Sequence, residues 1–226
     1  MKKLIIILFI ISNLHGYTQN QVVRFGGKIG ANYSWLDLST NAEYNGGDYA
    51  GSFGLISNIS IHKNISICTG LELVKLRDKG HVLIFSNMID PVTGLINQDY
   101  AYSTYEVNPL YLKIPVTARF STNQIKNKLK IFGELGNGLS FLLNAKDYYT
   151  KYDKNDNEIS TDSGKNSSYT TTKFSAIISV GVEVPFQKSH MFRFGLLFDY
   201  CLSDMDNNTF VKLKNHYAEF FIAFLY

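Results

Sequence analysis

Ten charged residues fall at positions where extended chain would carry them to one shared face. Arg24, Lys28, Lys113, Arg119 and Arg193 supply five cations, and Glu72, Glu134, Glu183, Asp199 and Glu219 supply five anions. Equal numbers of opposite sign, enclosed together, are expected to pair, because an isolated buried ion is too costly to keep. The chemistry expected of them is a salt-bridged plug. The histidines offer less. His15 falls in the apolar start of the chain, His62 and His190 in short turns, and His216 on the outward side of the last strand. Only His81 falls in a long connection, and a hydrolase or acyltransferase would need it beside an acid such as Asp199. In Asp153 to Glu158, Asp153, Asn155 and Asn157 alternate like the start of a calcium loop. Glu158 then stands where such a loop needs Gly, and Gly164 where it needs a bidentate Glu. The chain has no phosphate-cradling Gly loop, Cys/His metal cluster or nucleophile elbow. No enzyme activity, cofactor or metal is therefore expected.

The elements that must hold these charges are strands. In the ending HYAEFFIAFLY, His216, Ala218, Phe220, Ile222, Phe224 and Tyr226 share one face. Seven earlier segments alternate likewise, at about 23–33, 51–61, 65–76, 106–120, 129–143, 172–186 and 191–202, and the eighth spans 213–226. Their apolar faces carry residues such as Phe53, Leu55, Leu71, Leu135, Ile178 and Leu196, opposite the ten charges. The connections at 61–65, 121–128 and 187–190 are short, whereas those at 35–50, 77–105, 144–171 and 203–212 are long and polar. In an up-and-down sheet, the short links all fall at one end and the long ones at the other. The expected fold is all-β: an eight-stranded antiparallel up-and-down transmembrane β-barrel, apolar outside, with periplasmic turns and surface loops. A barrel of this size has a lumen that side chains fill.

Other features agree. Met1-Lys2-Lys3, the apolar run Leu4–Ile11 and the polar stretch 12–18 form a signal-peptide pattern, so residues 1–18 are expected to be a leader and 19–226 the barrel domain. The formal charge is +3, and loss of Lys2 and Lys3 leaves a near-neutral chain with no signature of nucleic-acid binding. Cys68 and Cys201 are expected inside the lumen towards opposite ends, too far apart to bridge. Tyr33, Trp35, Tyr49, Tyr102, Tyr105, Tyr148, Tyr149 and Tyr200 are expected near the long-loop end. Phe25, Phe120, Phe186, Phe192 and Tyr226 are expected near the short-turn end, giving two aromatic belts. Pro115, which has no ladder N–H, is expected to mark a bulge or kink.

Three stretches carry a family resemblance. FGGKIGANYS resembles the first strand of the PorT-type outer-membrane β-barrel proteins of the Bacteroidota. YLKIPVTARF resembles their "YL-x-IP" strand, and FGELGNGLSFLLNAK the Gly-rich strand after it. The resemblance implies an outer-membrane location and a structural or interactive envelope role. It also implies an alternative, an accessory of a type IX-like secretion or transport system. Expected partners are outer-membrane lipids and lipopolysaccharide, an envelope protein, and the barrel assembly machinery through the C-terminal strand. A third reading is a soluble lipocalin-like barrel, which would turn its apolar face inward.

Overall fold

The computed structural model describes residues 23–38, 46–82, 88–89, 96–97, 102–125, 129–152, 157–164, 169–186, 190–204 and 213–226. The proposed leader, and Asp153 to Asp156 of the calcium-like stretch, lie outside them. The strands are β1 (Val23–Leu38), β2 (Gly47–His62), β3 (Ile65–Lys75), β4 (Asp78–Val82), β5 (Met88–Ile89), β6 (Ile96–Asn97), β7 (Tyr102–Ser121), β8 (Lys130–Tyr152), β9 (Glu158–Gly164), β10 (Thr172–Pro185), β11 (Met191–Cys201) and β12 (Leu213–Leu225). Eight of them close a ring in the order β1-β2-β3-β7-β8-β10-β11-β12, every neighbour antiparallel.

Alternation dictates the two faces. On β12, Phe220 is 51% exposed on the outer wall, while its neighbour Phe221 is 4% exposed inside. The same holds around the ring, with Leu55, Leu135, Ile178 and Leu196 all more than half exposed. The apolar side faces outward, which rules out the lipocalin-like arrangement. The seam between β1 and β12 runs from Gly26↔Leu225 to Leu38↔Leu213. A Cβ at Gly26 would sit 1.8 Å from the Phe224 carbonyl oxygen, so this close approach admits only glycine.

Aromatic groups flank the apolar band. At the long-connection end, Trp35 packs between Tyr33, Phe198 and His216, and His216 stacks on Tyr200 at 4.4 Å. At the short-turn end, Phe192 contacts Phe186 and Phe224. Tyr102, Tyr105, Tyr148 and Tyr149 depart from the expected belt. They stand beyond it, where β8 continues to Tyr152 and pairs with β7 as far as Tyr102.

Two stretches expected to be loops are thus partly sheet. β4 pairs with the upper part of β7, from Asp78↔Val107 to Val82↔Ser103, and β9 pairs with the upper part of β8. The polarity of the ribbon has inverted there. Val107 and Ala145 are buried inward, while Glu106, Asn108 and Lys146 face out. Outside a lipid layer the outer face no longer needs apolar residues, so the alternation is harder to read from sequence. Pro115 also differs from expectation. The β3–β7 ladder skips the pairs opposite Gly70 and Leu71, yet it keeps one register from Thr69↔Val116 to Glu72↔Lys113. Thr69 Oγ1 donates to the Pro115 carbonyl at 2.8 Å. The bulge lies instead at Leu110/Tyr111, next to Pro109, whose carbonyl accepts from the Leu76 N–H.

Candidate functional site

The lumen holds three charge clusters. Nearest the short turns, Arg119 donates to Glu183 and, at 3.3 Å, to Ser66 Oγ. Arg193 reaches Glu183 at 3.1 Å and Glu134 at 3.4 Å, and Thr117 donates to Glu134. The two guanidinium groups flank the Phe132 ring at 5.9 and 5.2 Å. In the middle, Lys28 Nζ lies 2.9 Å from Glu72 and 2.7 Å from Glu219, over the Phe221 ring. Ser52 Oγ donates to Glu219 at 2.7 Å. Towards the long connections, Lys113 Nζ donates to Asp199 at 2.6 Å and to the Tyr217 hydroxyl at 2.7 Å. Lys173 lies 3.4 Å from Asp199, and Ser175 donates to it.

Nine of the ten charges singled out from the sequence are buried in these clusters: Lys28, Glu72, Lys113, Arg119, Glu134, Glu183, Arg193, Asp199 and Glu219. Arg24 differs. It sits half-buried at the short-turn mouth and has no ion pair among the described residues. Lys173 takes its place, restoring five cations against five anions. Its signal was available, since it directly precedes the outward Phe174 and so faces in. Asp78, buried and hydrogen-bonded to Asn215, was missed because its segment reads as loop. The ring partners Phe132, Phe221 and Tyr217 follow from parity alone.

The arrangement suits closure. A gap of about 40 Å³ lies between the lower clusters, lined by Lys28, Cys68, Glu72, Glu134 and Arg193 among others. That accommodates water but no solute. Cys68 and Cys201 are both buried and free. Asp199 is held deep in the lumen by Lys113, Lys173 and Ser175, which leaves no free carboxylate there for His81.

A second charged group stands on the outer wall beyond the aromatic belt. Arg77 Nε lies 2.7 Å from Glu106 and 3.3 Å from Asp48, and Lys79 lies 3.2 Å from Asp48. These cations are 40–50% exposed. Desolvation pulls the Asp48 pKa upward. The Tyr49 N–H and the cations Lys79 and Arg77 outweigh it and hold the carboxyl below its usual value. Glu106 is lowered in the same way, desolvation being outweighed by hydrogen bonds from Arg77 and Asn108. Beside this group Lys75, Asn108, Tyr148 and Thr161 border an open cleft of about 480 Å³.

A family model described as "Outer membrane protein beta-barrel domain" matches residues 17–207. No curated protein matches the chain. Among solved structures, it is similar to Neisserial surface protein A, at 12% identity and TM-score 0.45, covering 89% of this chain and 95% of that one. It is similar to the attachment invasion locus protein Ail of Yersinia pestis, at 12% identity and TM-score 0.42, covering 90% and 98%. It is also similar to OprG of Pseudomonas aeruginosa, at 10% identity and TM-score 0.44, covering 90% and 95%.

Proposed function

This chain belongs to the outer membrane protein beta-barrel domain family, and on that premise we propose that it is a non-conducting integral barrel acting by contact at the cell surface. Its location is the outer membrane. The observation that carries the proposal is the lumen. Five cations and five anions pair across it, and the gap between the lower clusters is water-sized. A transport path would need that network dismantled. The surface-facing end supports a contact role. Arg77 and Lys79 stand on the outer wall just past the aromatic belt, with Lys75 and Lys146 exposed nearby. Cations at that height offer counter-charges to the phosphate groups of lipopolysaccharide. The sheet formed by β4, β7, β8 and β9 adds a folded surface for an envelope protein.

Planar-bilayer recording of the purified protein tests the closed lumen. The expected trace shows no steady open level, and a large constant conductance would end this reading. Reconstitution with and without lipopolysaccharide tests the contact role. Arg77 and Lys79 should lose side-chain exchange only when lipopolysaccharide is present. A stable complex co-purifying with secretion components would instead favour the accessory role that the PorT-type resemblance implies.

A further inference from the structure

The opposite mouth of the barrel is also charged, but without compensation. Arg24 on β1, Lys63 in the β2–β3 turn and Lys130 at the start of β8 border one cavity of about 360 Å³ at the short-turn end. None of the three has an ion pair among the described residues. Arg119 and Ser66 line the cavity as well. Arg119 is 3% exposed, and its Nε has no hydrogen-bond partner among the described residues. Glu183 is the one acid in the lining, and Arg119 and Arg193 already neutralise it. Lys126, Lys128 and Lys188 of the short connections lie outside the described residues.

Cations gathered around a concave mouth with low-dielectric walls focus a positive potential, and they attract multivalent oxyanions. We propose that this periplasmic mouth binds a phosphate-bearing anion, with Arg24, Lys63 and Lys130 as its ligands and Arg119 beneath them. Arg24 then has a reason to stand outside the lumen network. Phosphate fits better than a monovalent carboxylate, because its charge and oxygen count match three separate cations, two on strands and one in a turn. Two sources offer that chemistry: a free phosphorylated solute of the periplasm, and a phosphomonoester headgroup of the inner leaflet.

The test is calorimetric titration of the full, folded protein in zwitterionic detergent with inorganic pyrophosphate, at low salt. A parallel arm titrates phosphatidate-containing vesicles into the same protein. One-site binding is expected, weakened about tenfold or more in the triple variant R24Q/K63Q/K130Q. The outer-wall variant R77Q/K79Q should bind as the parent does. Binding of pyrophosphate identifies a solute site, and binding of phosphatidate alone identifies a headgroup site. The proposal is overturned if neither probe saturates, if the triple variant binds equally well, or if the outer-wall variant loses as much. The three substituted residues lie outside the paired network, and retained heat-modifiable gel migration will show that the variant folds. An open lumen in the conductance experiment would leave this mouth and its test intact.

Discussion

The lumen and the outer wall use the same chemistry at very different exposure. Inside, Arg119, Arg193 and Glu183 pair where each is 3% exposed or less. Outside, Arg77 and Glu106 pair at a similar distance with the cation 40% exposed. Water screens the outer pair and can replace either partner. The inner pair has no such substitute, so every inner charge depends on its opposite number. Distance alone therefore says little about what an ion pair contributes, and the surroundings decide it.

The sharpest way to break this comparison is Glu183→Gln. It leaves two guanidinium groups in the lumen with one remaining acid between them, and we expect a loss of about 3–5 kcal/mol. Urea unfolding followed by Trp35 fluorescence would read it, since Trp35 is the only tryptophan. Next comes Leu55→Arg, which puts an unpaired cation at mid-band on the lipid side, where Leu55 is 70% exposed. The expected cost is about 2–4 kcal/mol in a lipid bilayer. If it were harmless, pairing could not explain why charge within the apolar band is confined to the lumen.

Arg77→Gln should cost about 0–1 kcal/mol, with a difference that shrinks in salt. A loss as large as that of Glu183→Gln would erase the contrast. Acid gives the smallest effect. Asp48 and Glu106 have lowered pKa values, so their contribution is complete above the unfolded carboxylate value and fades as pH falls through the folded one. Amide exchange around Tyr49 should therefore quicken below about pH 4 while the lumen stays protected. Equal loosening at both places would count against the distinction.

The membrane-spanning part was legible because hydrocarbon forces strict alternation. Phe25, Ile29, Leu55 and Ile178 had to face out, and that placed Lys28, Glu134 and Glu183 inside by parity. Partner choice was not legible. Lys113 lies opposite Glu72 in the ladder yet bonds Asp199, because side chains cross the lumen as well as the sheet. The upper sheet was missed for the reverse reason. Glu106, Asn108 and Lys146 face water there, so no solvent imposes a pattern that a reader could follow. Arg24 obeyed parity but sits too near the end of its strand to be enclosed.

The overhang of β8 has a consequence for height. From Leu143 to Tyr152 the strand adds roughly 30 Å of path at about 3.3 Å per residue, somewhat less once tilt is counted. This flank of the rim is therefore raised like a parapet. Whatever approaches from that flank meets ordered backbone well before it reaches the bilayer, while the described β1–β12 seam runs only as far as Leu38↔Leu213.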